Sequence, residues 1–350
     1  MLSLPDLTIF DVGHGNCAVL HDDNDDQVVV IDVPLGDTEL KSWLTLRGLQ
    51  TIEAILVSHA DEDHIGGVLS VLTDPEIIVH RLYLNSESQR GTKIWEDLRF
   101  AIKDARCRGQ GPRVHVELTT ENSADFALTT VELEILAPSP ELAMSGASGK
   151  TPRGRSLTAN TMSAVIRVSH PSARGVIFMG DIDGVGLHEL LDDSPDLVAS
   201  ALVFPHHGGR PGSTNMRTFA EAIATHVRPD VVVFSLGRGE HATPQPDIVD
   251  GVRGVCPSVH VACTQLSERC AAALPGIAQP YLSSDAGRGH PVGAACAGTL
   301  NIELTPQGLM NSQVAGHGRF VDQLPQPVCR RALAGPAAPP PATPSAGTGR

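Results

Sequence analysis

Long apolar runs are missing from this sequence. The longest, such as Val28 to Ile31 and Val231 to Phe234, fall far short of the ~20 residues a membrane-spanning helix needs, so no integral membrane protein is expected. The stretch from Met1 to Phe10 has neither a basic n-region nor a long apolar h-region, and a cytoplasmic location is expected. Positive charge is scarce. Lys and Arg number 26 against 40 Asp and Glu, a formal charge of -14, which removes any general attraction to nucleic acid and leaves only a local phosphate-binding surface. Seven cysteines is an odd count, which suits thiols or metal ligands better than a disulfide framework. No repeat of solenoid type occurs. What is present is ordinary globular material, 41% hydrophobic and 19% charged over 350 residues, enough for one large domain with an appendage or for two domains.

Strand and helix patterns alternate, an α/β (α+β) arrangement. Thr8 to Val12, Cys17 to Leu20 and Val28 to Ile31 read as strands, with Asp22 to Asp26 as a solvated hairpin loop. Leu40, Trp43, Leu44 and Leu46 recur at helical spacing behind Asp37 or Thr38. A buried strand at Ala54 to Val57 follows, then a short helix after Ile65, a strand near Ile77 to Leu82 and a helix from about Thr92 to Arg106. Strands are expected at Val114 to Leu118, Val131 to Leu136, Met162 to Val168, Val176 to Met179, Leu202 to Phe204 and Val231 to Phe234, with helices at Val185 to Leu191 and Thr214 to His226. Ser139 to Ala159, rich in Gly, Ser and Pro and carrying Lys150, Arg153 and Arg155, reads as a long mobile surface loop. From Ala334 on, Ala, Pro and Gly dominate and a disordered tail is expected.

The chemistry concentrates in Ser58-His59-Ala60-Asp61-Glu62-Asp63-His64-Ile65-Gly66-Gly67, directly after the apolar strand. A strand ending in a tight loop can aim alternate side chains into one pocket, so His59, Asp61, Asp63 and His64 can converge on one or two cations. Asp181 follows the buried strand at Val176 to Met179, and His206 follows another apolar strand. Such a cluster is costly unless cations neutralise it.

Further motifs occur in order: Phe10-Asp11-Val12-Gly13-His14-Gly15-Asn16, Asn160-Thr161-Met162-Ser163, Phe178-Met179-Gly180-Asp181, Phe204-Pro205-His206-His207-Gly208-Gly209, and Ser235-Leu236-Gly237 with Glu240-His241-Ala242-Thr243-Pro244. Together with the His59 to His64 loop they resemble the metallo-β-lactamase fold superfamily, and within it the ComEC-type competence nuclease domain and its stand-alone relatives. The resemblance implies a four-layer αββα sandwich over residues 1–255, followed by a C-terminal extension at 256–333 and a tail at 334–350. It implies divalent cations, zinc or manganese with magnesium as a third option, held by His59, Asp61, Asp63, His64 and Asp181 with His206 and His241, and Asp11 supporting the metal loop. Asp61 stands where relatives carry an imidazole, and no histidine lies near Asn160, so the count is one or two ions.

The implied activity is hydrolysis of a phosphodiester, in DNA or another nucleotide-containing substrate, with a hydroxide generated by the metal as nucleophile. Asp63 or Asp181 would accept a proton, while His207 would protonate the leaving oxygen, contact phosphate, or only bond the loop. His241 is a terminal metal ligand or a substrate contact, and Asp183 a ligand or a helix cap. Asn160, Lys150, Arg153, Arg155 and Arg210 are the candidate substrate contacts. The charge balance favours single strands, ends or small phosphodiesters. Two other readings stay open: hydrolysis of a small ester, lactone or thioester on the same scaffold, and a metal-stabilised interaction module without catalysis, its protein partner unknown. Separately, Cys263, Cys270, His290 and Cys296 could form a closed Cys3His structural zinc site stapling the C-terminal extension.

Overall fold

The computed structural model describes residues 5–22, 27–36, 38–85, 92–126, 128–193, 196–305, 308–310 and 313–333. The expected tail at 334–350 and positions 23–26 of the acidic run lie outside them. The first half of the chain runs β1 (Asp6–Ile9), β2 (Ala18–Asp22), β3 (Gln27–Ile31), α1 (Glu39–Arg47), β4 (Thr51–Val57), α2 (Glu62–Ile65), α3 (Val68–Thr73), β5 (Ile78–Leu84), α4 (Lys93–Cys107), β6 (Arg113–His115), β7 (Glu132–Ala137) and α5 (Pro140–Ser145). The second runs β8 (Val165–Ser169), β9 (Val176–Phe178), α6 (Gly184–Asp193), β10 (Ala201–Val203), α7 (Met216–Val227), β11 (Val231–Phe234), α8 (Pro246–Val255), β12 (His260–Cys263), β13 (Leu300–Thr305), β14 (Gly308–Met310) and α9 (Gln313–Val321). Among the described residues no helix is long and apolar enough to cross a membrane.

Alternation along the strands decides the layering. Val29, Ile31, Ala54 and Leu56 face one apolar cluster, while Val28, Val30, Ile55 and Val57 face another. Successive side chains of a strand point to opposite faces, so strands apolar throughout must be covered on both sides. The other sheet repeats this: Phe178, Ala201, Val203, Val233 and Ala262 join the same central cluster, and Ile177, Leu202, Val232 and Val261 face away from it. The central cluster is therefore the seam between two sheets. Helices close the outer faces, α1, α3 and α4 through Trp43, Leu72 and Leu98, and α6 to α9 through Leu187, Phe219, Ile248 and Phe320. The result is the expected four-layer αββα sandwich.

One sheet has the order β14-β13-β1-β2-β3-β4-β5-β6, the other β12-β11-β10-β9-β8-β7. β3 to β6 pair in parallel, as do β9 to β12; β1, antiparallel to β2, which is antiparallel to β3, shares the direction of β3. Parallel strands deliver all their carboxyl ends to one edge, where α/β proteins bind ligands.

Three expectations need correction. Residues 256–333 are not an appendage: β12 extends one sheet beside β11, and β13 extends the other beside β1. The Ser139 to Ala159 stretch carries local structure, with α5 capped by Ser139, whose Oγ accepts from Leu142 N at 3.4 Å, a bridge between Lys150 and Ser156, and a small cluster of Leu142, Leu157 and Met162. Asp22 is buried, not solvated, because its carboxylate accepts from Thr130 Oγ1 at 2.7 Å.

The Cys3His zinc set is not assembled among the described residues either. Cys263, Cys270 and Cys296 are buried free thiols in one apolar cluster, but His290 is exposed on a turn. The imidazole beside Cys296 is instead that of His317 in α9, with Nε2 at 3.2 Å from Sγ and Nδ1 at 2.9 Å from His260 Nε2. Burial pushes the Cys263 and Cys296 thiols up, so they stay protonated and pack as small apolar groups. Burial, aided by His260 and Arg330, pushes His317 down to about 3 from the ordinary 6.5. Between those values the unfolded chain binds the extra proton, so this ring favours the folded state above pH 6.5 and progressively less on acidification. From pH 7 to pH 5 the loss is on the order of 2 kcal/mol, and a His317→Gln variant is expected to lose correspondingly less in urea denaturation at the two pH values.

Candidate metal centre

Each donor leaves the carboxyl end of a strand. After β4 the chain turns through Ser58 and His59 into α2, which carries Asp63 and His64. His64 is fully buried. Its Nδ1 lies 2.8 Å from Oδ2 of Asp32, at the end of β3, and Asp32 also accepts from Ser58 N at 2.7 Å and Ser58 Oγ at 2.8 Å. With Nδ1–H committed to Asp32, Nε2 is directed to the pocket. There it faces Asp181 Oδ1 at 3.5 Å and Asp63 Oδ2 at 3.9 Å and makes no hydrogen bond among the described residues.

Asp181 follows β9 through Gly180, whose φ of 48° is left-handed; a Cβ there would sit 2.6 Å from Ser163 Oγ, so the turn requires glycine. Ser163 Oγ accepts from Asp181 N at 2.9 Å and lies 3.3 Å from His59 Nδ1. His206 N donates to Asp181 Oδ1 at 3.0 Å, and His206 Nδ1 is 3.3 Å from Oδ2. After β10, His206 and His207 both take left-handed φ, 53° and 52°, a rare conformation outside glycine. It turns His207 inward: Nδ1 lies 2.7 Å from the carbonyl of Ser235, and Nε2 faces Asp63 Oδ2 at 3.1 Å and Asp181 Oδ1 at 3.8 Å. One ligand atom each from Asp63, His64, Asp181 and His207 thus lie within 4.8 Å of one another.

The electrostatics of the group are those of paired opposite charges. Burial opposes charge on Asp63 and Asp181, but the hydrogen bond from His207 at Asp63 and the positive potential of His207 and His64 at both hold their carboxyls well below the usual range. Burial likewise opposes charge on His64, and the carboxylates of Asp32 and Asp181 overcome it and raise the imidazole well above its ordinary value; for His207, against burial, the carboxylates of Asp181 and Asp63 raise it above its ordinary value. Two inward nitrogens facing two carboxylates need either protons or a cation between them. The buried, unbonded Nε2 of His64 and the two carboxylates fit a divalent ion of intermediate hardness.

The metallo-beta-lactamase superfamily profile matches residues 10–227. The chain belongs to that superfamily. Among curated proteins it is similar to ComE operon protein 3 of Bacillus subtilis (strain 168), 25% identical over 205 residues, which cover 58% of this chain and 22% of that protein; the chain thus spans about a fifth of that relative. Among solved structures it is similar to a diphosphatase of the PhnP family, with a TM-score of 0.40, 15% identity, and 69% of this chain and 88% of that one covered. A second is human tRNase Z, short form, with a TM-score of 0.38, 14% identity, and coverage of 66% and 92%.

On this superfamily scaffold, four of the residues singled out from sequence meet, with His207 as a member of the four-donor group beside Asp63, His64 and Asp181. His59 and Asp61 form a separate pair, Nε2 to Oδ2 3.4 Å, next to His64. His206 lies against Asp181 but outside the group, because the left-handed backbone turns its neighbour inward instead. His241 is exposed and meets His14 and Glu240. Asp11 braces a different region from the one expected: its carboxylate accepts from Gln265 Nε2 at 2.8 Å and Gly289 N at 2.9 Å, joining the C-terminal segment to the loop of His14. Asp183 is a helix cap, accepting from Val185 N and Gly186 N at 2.9 Å each. In the Asn160 motif it is Ser163 that touches the centre, while Asn160 stands partly exposed beside it. Arg153 pairs with Asp192 at 2.7 Å on the outer face of α6, and Lys150 and Arg155 are exposed. Sequence reasoning missed Asp32, whose only local signal is an aspartate at the end of an apolar strand.

Proposed function

We propose that the protein is a divalent-cation-dependent phosphodiester hydrolase acting at the group of Asp63, His64, Asp181 and His207. One observation carries the reading: two carboxylates and two fixed imidazoles converge at the strand edge, with His64 Nε2 buried and unbonded. A divalent cation bound there supplies Lewis acidity toward phosphoryl oxygens and lowers the pKa of water. The protein's own part is orientation and proton handling. Asp32 fixes His64, Ser235 fixes His207, and Ser163 with His206 N fixes Asp181. Asp63 Oδ2, held as a carboxylate, faces His207 Nε2 at 3.1 Å and His14 Nε2 at 3.4 Å, and His207, raised by the two carboxylates beside it, is the group that can give a proton to the leaving oxygen. Burial, with His207 beside it, pushes His14 down to about 4, so that ring stays neutral near pH 7 and faces Asp63 as an uncharged hydrogen-bonding group. Arg210, exposed three residues beyond His207 on the same loop, is placed to clamp a phosphate. The carboxylate share of the donor set suits the harder ions used on phosphates, and the formal charge of -14 favours single-stranded DNA or small nucleotide-containing substrates over long duplex.

The test is turnover of bis-p-nitrophenyl phosphate, labelled single- and double-stranded DNA, RNA and a lactone and thioester panel, with manganese, zinc or magnesium. Phosphodiester cleavage that requires the cation and disappears in Asp63→Ala is the expected result. Turnover of lactones or thioesters alone overturns the substrate class, and inactivity on every substrate at full cation occupancy overturns the enzymatic reading.

A further inference from the structure

Beside the donor group, the same sheet edge holds a cavity of about 270 Å³. His59 lines it, and the ring centroid of His59 is 4.1 Å from that of His64, so one imidazole separates the cavity from the centre. Two further walls leave the same edge: Asn85 directly follows β5, Val116 and Glu117 follow β6, and β4, β5 and β6 run parallel. Ala143 and Met144 of α5, Ala147 just beyond it, and Met162 complete the lining. We propose that this cavity seats the nucleobase attached to the phosphate at the centre, guanine before the other bases, an inference that rests on the phosphodiester reading of that centre.

Size, lining and polarity carry this. A cavity of about 150 Å³ accommodates a benzene ring, so this one admits a purine. Val116 and Met144 leave 61% and 83% of their surface in water, and two large apolar side chains on the rim of one cavity form a contact surface, where scattered single ones would need no explanation. Thioethers favour aromatic rings, and Met144 and Met162 both line the cavity. The wall is built before any ligand arrives, because Met162 packs with Leu142 and Leu157 and Ala143 packs against that cluster. Of the polar side chains, Asn85 is spent on the walls: Nδ2 donates to the carbonyls of Leu118 at 3.1 Å and Met162 at 3.4 Å, and Oδ1 accepts from Leu118 N at 2.9 Å. His59 is turned to its own neighbours, with Nδ1 3.2 Å from Ser58 Oγ and 3.3 Å from Ser163 Oγ, and Nε2 3.4 Å from Asp61 Oδ2. Glu117, exposed, is left to read the ligand. A carboxylate only accepts hydrogen bonds and repels phosphate, so an uncharged group bearing N–H donors enters here, not a further length of backbone. Guanine offers a ring N–H and an amino group side by side, which match the two carboxylate oxygens. Adenine and cytosine offer an amino group alone, and the ring N–H of uracil is flanked by carbonyls that the carboxylate opposes.

The test is calorimetric titration of the full-length, manganese-loaded protein with guanosine, adenosine and uridine monophosphates, ribose phosphate and hexyl phosphate. Guanosine monophosphate is expected to bind about tenfold more tightly than ribose phosphate, and more tightly than the other two nucleotides. Met144→Ser should bring it to within about threefold of ribose phosphate and leave ribose phosphate itself unchanged. Glu117→Gln should abolish the margin of guanosine over adenosine. Both residues are exposed, and unchanged thermal unfolding checks that the variants fold. Equal affinities for guanosine monophosphate and ribose phosphate, tighter binding of hexyl phosphate, or an undiminished nucleotide advantage in Met144→Ser overturns the base subsite; a guanosine margin that survives Glu117→Gln, or none in wild type, overturns the guanine preference. Ribose phosphate reports on the centre alone. If it does not bind, or binds equally without manganese, the phosphodiester reading fails and the subsite with it; if it binds through the cation and guanosine gains nothing, that reading stands and only the subsite falls.

Discussion

Asp181→Asn is expected to lower kcat/KM for phosphodiester cleavage by at least about 10^3-fold and to remove one equivalent of bound cation. Asparagine keeps the size of the side chain, so the turn at Gly180 and the bond from His206 N to Oδ1 at 3.0 Å have no steric reason to fail. What disappears is the negative charge facing His64 Nε2 at 3.5 Å and His207 Nε2 at 3.8 Å. A Lewis-acid cation contributes several kcal/mol to stabilising transition-state charge, and each 1.36 kcal/mol is tenfold in rate, which sets the size of the effect. Kinetics on bis-p-nitrophenyl phosphate and a metal count on the same preparation check it together. A variant that keeps its cation and falls within tenfold of wild type would show that Asp181 is not part of the centre.

The largest stability effect is expected at Asp32, which touches no substrate. Its carboxylate is 1% exposed and accepts from Ser58 N, Ser58 Oγ and His64 Nδ1. Asp32→Ala leaves three buried donors unsatisfied, at about 1–3 kcal/mol each before relaxation, and strains alanine at a φ of 57°. A net loss of about 3–5 kcal/mol follows. Cation affinity should fall about 10–100-fold, because His64 loses the partner that fixes its tautomer. Asp32→Asn, which retains an acceptor oxygen and tolerates the left-handed backbone, should lose less of both. Guanidinium denaturation and a manganese titration measure the two effects. Less than about 1 kcal/mol for Asp32→Ala with unchanged affinity would remove Asp32 from the account of the site.

How far the centre was legible depends on how local each feature is. Asp63 and His64 follow an apolar strand within seven residues, and Asp181 follows another, so their place at a strand end can be read from the pattern alone. The neighbours His206 and His207 cannot be ranked that way. Which ring points inward depends on two consecutive left-handed residues, and the pocket-facing nitrogen is set by the carbonyl of Ser235, 28 positions away. The zinc staple failed for a related reason. Cysteine spacing does not reveal that β12 and the segment of Cys296 run side by side inside an apolar cluster, with His317, not His290, beside the thiol.

The layering, and the edge on which chemistry could occur, follow from the order of the residues alone. Alternating apolar residues force both strand faces to be covered, and polar donors placed just beyond those strands have no other outlet. Which donors share a pocket depends on contacts across the folded chain: Asp32 behind His64, His207 ahead of His206, His14 against His207. Hydrogen-bond partners 28 to 32 positions apart in the chain fix the orientation of each ring, and pairings at that separation exist only once the strands have been laid side by side.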